Sequence, residues 1–313
     1  MRILLTGATG FIGSNVARIL VNQGHELCIP LRSDSNTFRI QDILPRLMRV
    51  TADIFSTTSL ASVLAAHKPE MCIHLAWYAE PGKYLNATEN LSALSGSLAL
   101  AAQLSKSGCS RFVGVGTCFE YNTTVGLLAE DTATMPSSLY GASKLALGIV
   151  LQALQKTSGM STAWVRLFYQ YGPFEDERRL IPAVITALLN GKPARLTSGR
   201  QIRDFLHVTD VAQAICKVAH SNLDGPVNVG SGVPVSVADI AARIAALIGR
   251  ADLLKLGSLP DRPGDPPFVC AINHRLVSTG WSQEFDLTTG LRHTIDWWRT
   301  PSHSESNLAR MGV

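Results

Sequence analysis

"TGATGFIG", residues 6–13, stands between an apolar run at 1–5 and a stretch in which Ile12, Val16, Ile19 and Leu20 recur on one helical face until Gln23 and Gly24. A strand, a glycine turn and an amphipathic helix, in that order, is how a parallel α/β sheet begins. Gly7, Gly10 and Gly13 let the backbone turn tightly and come close to a pyrophosphate, while the first N–H groups of the helix and its dipole face that charge. A glycine-rich structural turn is the plainer alternative. The placement directly after the first strand favours a dinucleotide site, with Thr9, Phe11 and Ile12 sharing the turn as cofactor contacts.

Outward from this turn the same alternation continues. Apolar runs at 27–31, 71–75, 112–115 and 162–167 predict further strands, and helical spacing covers 91–105, 139–156, 180–189, 208–220 and 237–248. The pattern predicts an α/β fold with a doubly wound parallel sheet. After about Tyr171 it turns irregular and rich in Pro and Gly, where a second, smaller α/β domain is expected. The expected division is 1–170 with 203–228 for the larger domain, and 171–202 with 229–313 for the smaller.

The chain has 313 residues, enough for one large or two modest domains, and a net charge of +4 that is too small and too dispersed for nucleic acid. That charge does suit a phosphorylated small molecule. Six cysteines form no C-x-x-C pair, nothing suggests a metal, and no cationic leader precedes the first strand, so a reducing cytoplasm is expected. No apolar run reaches the roughly 18 residues of a membrane span. The tail from Pro301, rich in Ser and Asn, is expected to be disordered.

Two short stretches carry chemistry. "GTCFEY", 116–121, puts the hydroxyl of Thr117 at the end of a buried strand, and "LYGASK", 139–144, puts Tyr140 and Lys144 four apart on one helical face. A phenol with a free pKa near 10 moves protons more readily at neutral pH when a neighbouring ammonium favours its ionised form. At the end of the second strand, "PLRSDS" offers Arg32 and Ser33 where an acid would favour NAD and an arginine the phosphate of NADP. NADP is therefore favoured, with NAD open, and Asp34 lies two positions too late to clamp a ribose. Asp53 in "TADIF" is either an adenine contact or a loop cap.

"TGATGFIG", "GTCFEY", "YGASK", "RLFYQYGP", "RDFLHVTDVAQAI", "NVGSG" and "RPGD" occur in an order that resembles the extended short-chain dehydrogenase/reductases, the sugar-nucleotide epimerases, dehydratases and ketoreductases. The likeness covers nearly the whole chain. It implies a Rossmann-type domain for NAD(P), with Ile54, Leu75 and Ala76 added to its contacts, a smaller domain for a nucleotide-diphosphate sugar, and a homodimer built on the 91–105 and 139–156 helices. It also implies that Thr117 binds the reacting sugar oxygen, Tyr140 exchanges its proton, and Lys144 holds the nicotinamide ribose and lowers the Tyr140 pKa. Cys118, Phe119, Tyr169, Arg179, Arg203 and Arg262 are the implied substrate contacts. Arg203 and Arg262 could instead pair internally with Asp204 and Asp265. Tyr169 stands where the family usually has Asn, and His207 reads as a structural turn into a helix.

In the family's 4,6-dehydratases an Asp-Glu pair follows the active-site Thr, whereas Cys118 and Phe119 follow here, which disfavours elimination. Glu120 reads as a surface or structural acid. The GDP-fucose synthases place a Cys and a His where this chain has Phe119 and Arg179, so carbon-acid epimerisation lacks its shuttles. The favoured expectation is NADPH-dependent reduction of a nucleotide-linked 4-keto-6-deoxyhexose. An NAD-dependent 4-epimerase is the alternative, and a non-catalytic NADP sensor is disfavoured by the presence of Thr117, Tyr140 and Lys144 together.

Overall fold

The computed structural model describes residues 1–55, 63–65 and 67–300. The tail from Pro301, expected to be disordered, lies outside the described residues. In chain order the strands are β1 (Arg2–Thr6), β2 (Glu26–Leu31), β3 (Met48–Thr51), β4 (Met71–His74), β5 (Arg111–Thr117), β6 (Leu127–Leu128) and β7 (Ser161–Leu167), then β8 (Tyr169–Tyr171), β9 (Ala194–Arg195), β10 (Ile202–His207), β11 (Gly225–Val229), β12 (Pro234–Ser236), β13 (Leu254–Lys255) and β14 (Phe268–Ala271). The helices are α1 (Phe11–Asn22), α2 (Glu89–Lys106), α3 (Leu139–Ser158), α4 (Leu180–Leu189), α5 (Val208–Ala219), α6 (Val237–Ile248), α7 (His274–Val277) and α8 (Leu287–Arg299).

The larger sheet has seven parallel strands in the order β11-β7-β5-β4-β1-β2-β3. Its inner strands β1, β4, β5 and β7 are buried on both faces, as all-parallel sheets require. Ile3, Leu5 and Ile29 face α1 and α5, meeting Val16, Leu20, Val211 and Ile215. Leu4, Cys72 and Phe112 face α2 and α3, meeting Leu100, Leu104, Leu147 and Leu151. The order reverses between β1 and β4, and the crevice beyond the carboxyl ends of those strands is where open α/β sheets bind ligands.

The smaller sheet runs β12-β10-β14-β6, with β8 added through β10. Three segments expected in the larger domain, 127–128, 169–170 and 203–207, pair in this sheet instead. Residues 127–128 reach out to pair with β14, and 202–207 pair with β8, β12 and β14 before α5 returns to the larger sheet. β7 ends at Leu167 and β8 begins two residues later, so the chain passes from an inner strand of the larger sheet directly into the smaller one, where β8 pairs with β10. A separate core of Ile181, Val184, Ile185, Ile240, Ile244, Leu291, Ile295 and Trp298 joins α4, α6 and α8. Among the described residues no helix is long and apolar enough to cross a membrane.

Asp204 pins the smaller sheet. Its fully buried carboxylate accepts N–H groups from Ser231 at 2.6 Å, Gly232 at 2.9 Å and Ala271 at 3.0 Å, so it ties β10 to both neighbouring connections. Each amide left unpaired in the interior costs about 1–3 kcal/mol. Asp204→Ala is expected to lower unfolding stability by about 3 kcal/mol or more in urea titration, and an unchanged midpoint would show that the sheet does not depend on this carboxylate.

Candidate active site

The glycine turn is built by what is missing from it. Gly7 has φ +73, a left-handed conformation that side chains resist, and a methyl there would stand 2.7 Å from the backbone nitrogen of Ala76. A methyl on Gly13 would collide with the carbonyl oxygen of Gly7. The turn therefore seats directly on the segment after β4, which places Leu75 and Ala76 beside it, and Thr6 Oγ1 accepts the Ala76 N–H at 3.2 Å. Gly10 caps α1 without a side-chain hydrogen bond, and the first turn of α1 carries no acid. Its free N–H groups and positive dipole end are open to an anion, so the cradle fits a dinucleotide pyrophosphate.

At the end of β2 the structure is less simple. Arg32 and Asp34 form an exposed ion pair at 3.0 Å, and Ser35 Oγ accepts the Arg32 N–H, so "RSDS" closes on itself as a loop beside Ser33. Asp53 accepts the N–H of Phe55 at 2.9 Å, in keeping with a loop cap, and Ile54 turns into the core on the α2 side.

Thr117 is the last residue of β5, and its side chain accepts the Phe119 N–H at 3.3 Å. Ser138 caps α3 through the Gly141 N–H at 3.1 Å, and the missing side chain of Gly141 lets that first turn rest on the carbonyl of Phe119. Tyr140 is thereby delivered to Thr117. Burial, then Tyr84 and Glu120, raise the Tyr140 pKa above the usual phenol range, and the Thr117 hydroxyl works against the rise as a hydrogen-bond partner. The expected lowering by Lys144 is not what the protein's own groups produce. Lys144 Nζ lies 6.0 Å from the Tyr140 ring centroid and donates to the carbonyl of Val115 at 2.7 Å, with the face of Trp77 3.9 Å away. Burial brings the Lys144 ammonium down to about 7, opposed by Glu120.

On the opposite wall, Tyr169 meets Phe119 edge-on at 6.3 Å and covers the Arg203 guanidinium at 5.4 Å. Arg203 itself is closed off. It is buried, donates to the carbonyls of Ile202 and Pro266, and pairs with Asp265. The partner differs from the expected Asp204 because that carboxylate is occupied by the amides of the smaller sheet. Arg262 is exposed in the same surface loop as Asp265. Arg179, at the start of α4, reaches over the ring of Tyr84 at 5.3 Å, and Tyr84 meets Tyr140 edge-on at 4.9 Å. Cys118 is buried, and desolvation pushes its thiol up to about 12, which leaves it a packing residue at neutral pH.

Residues 3–230 match the model of the NAD dependent epimerase/dehydratase family. The chain belongs to that family. It is 28% identical to dTDP-glucose 4,6-dehydratase 1 of Escherichia coli K12, with 95% of this chain and 92% of that one aligned. The family fold extends over solved structures as well. UDP-glucose 4-epimerase of Thermotoga maritima, solved with UDP-glucose, superposes with a TM-score of 0.86 at 23% identity over 96% of this chain and 99% of that one. dTDP-glucose 4,6-dehydratase of Bacillus anthracis, solved with NAD, gives 0.85 at 24% identity over 96% and 97%.

Several residues of this family member's cleft were not visible in the sequence. Trp77 and Tyr84 sit in "AWYAEPGKYLN", which has no period of its own and enters the site only because the chain after β4 folds over α3. His207 caps α5 by accepting the Thr209 N–H through Nδ1, as a structural turn residue does, and its Nε2 meets His293 Nδ1 at 3.2 Å. Glu120 is neither at the surface nor on a pleat: the chain turns into a 3-10 helix at 118–120 and buries it completely. For the glycine turn the consequence is direct. Gly13→Ala is expected to remove the thermal stabilisation that NADPH or NAD gives the wild type, and a shift of wild-type size would show that the cofactor does not use this cradle.

Proposed function

We propose that this protein reduces a nucleotide-diphosphate 4-keto-6-deoxyhexose at the keto carbon, with NADPH as the reductant. The observation that supports this most strongly is what flanks Thr117. Elimination of water needs one group to take a proton and another to give one. Cys118 is a buried neutral thiol, Phe119 has no proton to move, and the Glu120 carboxylate is held by Arg166, Trp164 and the Thr117 N–H. Reduction at one carbon needs a single proton, which Tyr140 can supply.

The bound nicotinamide supplies the hydride. Tyr140 gives its proton to the carbonyl oxygen as negative charge develops there, and recovers one from solvent afterwards. Thr117 donates a second hydrogen bond to the same oxygen, and Lys144, fixed by Val115 and Trp77, holds the nicotinamide ribose. Arg179 and Arg262 are the arginines left to meet the diphosphate, since Arg203 is taken by Asp265. NADPH is favoured over NADH because β2 runs into Arg32 and Ser33 with no acid at the strand end. The pair with Asp34 is exposed and screened by solvent, so a phosphate dianion can displace it. The exposed Leu91, Ile149 and Val150 on α2 and α3 support the homodimer.

Reaction with UDP-, dTDP- and CDP-linked 4-keto-6-deoxyhexoses is expected to oxidise NADPH in equal amount to the sugar reduced, followed by nicotinamide absorbance. Exchange of hexose isomers with no net cofactor change would instead establish a 4-epimerase. Tyr140→Phe should keep cofactor binding and lower turnover by about 10²–10⁴-fold, and survival of turnover would remove Tyr140 as the proton donor. Arg32→Ala should raise the KM for NADPH about tenfold and leave that for NADH unchanged. Equal effects on both would place the adenosine phosphate elsewhere.

A further inference from the structure

The reading above gives Glu120 no part, yet it is the most heavily bonded acid near Thr117. Its carboxylate accepts the Thr117 N–H at 2.9 Å, Trp164 Nε1 at 3.0 Å to each oxygen, and Arg166 Nε at 2.8 Å. The surrounding chain has made room for it. A methyl on Gly116 would collide with Glu120 Oε1 and Trp164 Nε1, and methyls on Gly114 and Gly148 would stand 2.5 Å and 2.9 Å from the Trp164 ring. Gly148 lies one turn beyond Lys144 on α3. Glu120 thus holds the end of β5 through one hydrogen bond and, through Trp164, lies against the helix that carries Tyr140 and Lys144.

Stability alone does not account for this arrangement. Replacing a buried ion pair by apolar groups of similar volume is often neutral or stabilising, because desolvation offsets the attraction. We propose that Glu120 is a positioning residue for Thr117, Tyr140 and Lys144, whose carboxylate fixes the backbone of Thr117 and supplies the buried negative charge acting on the Lys144 ammonium. This role rests on the reading of those three residues as a proton-transfer site.

The other groups packed around that ammonium do not supply the charge. His74, from β4, is bonded to Thr6 Oγ1 and Ser97 Oγ, and burial followed by the Lys144 charge takes it down to about 3, so it is neutral. The Cys118 thiol is neutral, Tyr140 and Tyr84 are phenols, and Trp77 offers only its ring face. Arg166, from β7, neutralises part of the Glu120 charge and stacks on Tyr121 at 4.4 Å. Burial lowers the Lys144 pKa first and Glu120 raises it, while at Tyr140 burial, Tyr84 and Glu120 all raise it. Removing the Glu120 charge therefore moves both titrations toward lower pH.

Glu120→Gln alone leaves Arg166 buried without a counter-charge and can unfold the protein. The test is the paired variant Glu120→Gln with Arg166→Met, alongside Glu120→Asp. Lysine labelled with 13C at Cε reports the Lys144 titration directly by NMR, assigned with Lys144→Arg, and needs no substrate. Because the paired variant also removes the Arg166 charge, it is read against Arg166→Met alone: relative to that variant the Lys144 midpoint is expected to fall by about one unit, and the alkaline limb of kcat/KM with NADPH and a dTDP-linked 4-keto-6-deoxyhexose to fall with it. A midpoint that stays in place overturns the electrostatic part.

Glu120→Asp keeps the charge but draws the carboxylate back from the Thr117 N–H. It should leave the Lys144 midpoint unchanged and lower kcat about tenfold, and an unchanged kcat overturns the positioning part. Full turnover in Tyr140→Phe would fail the parent reading instead, and would leave the Lys144 titration to stand or fall by itself.

Discussion

The distance between the glycine turn, the end of β5 and the start of α3 is set by close backbone approach. Gly7 lies against Ala76, Gly13 against Gly7, and Gly141 against the carbonyl of Phe119, and at each a methyl would force the two chains apart. Helix and strand normally keep a side chain's width between them. Here that width is gone at the mouth of the crevice between β1 and β4. Thr117 and Tyr140 are brought together where α3 rests on the end of β5, and Lys144, one turn further along α3, reaches the carbonyl of Val115.

Such closeness removes water, and the charges there must be balanced within the protein. Burial pulls the Lys144 pKa down and the charge of Glu120 works against it, while the ammonium donates to the Val115 carbonyl and lies over the Trp77 face. Cation and ring at 3.9 Å form an interaction that strengthens when desolvated. Phenol and ammonium are both pulled toward their neutral forms by the same burial, Tyr140 upward in pKa and Lys144 downward. A site so arranged keeps the phenol protonated and leaves the ammonium close to losing its proton.

Much of this was legible in the sequence because it depends on local spacing. Glycines at 7, 10 and 13 and the Tyr140–Lys144 interval are set by one turn and one helix, and the helices at 180–189 and 237–248 have the bounds their periodicity predicted. What the sequence did not show depends on contacts between distant segments. β3 is "MRVT", short and largely polar, and becomes a strand only because β2 offers it an edge. α8 contains "LTTGLRHT", with Gly290 in its interior, where a methyl would collide with the Tyr171 hydroxyl. Its helical pattern is visible only once Leu291, Ile295 and Trp298 are seen to share a core with α4 and α6.

The acids were hardest to read, for the same reason. Asp204, Asp265 and Glu120 all stand in stretches that suggest exposure or catalysis, and each is assigned by a partner far along the chain: Ala271, Arg203 and Arg166. A carboxylate in an unfolded chain is indifferent to which cation lies 46 or 62 residues away. The folded chain decides it, by leaving a buried donor that only that carboxylate can reach. Arg203 and Arg166 lie on β10 and β7, with their backbones fixed in sheets, so the acid comes to the cation. Asp265 accordingly meets the buried Arg203 from an exposed loop, and the 3-10 turn after Thr117 brings Glu120 to Arg166.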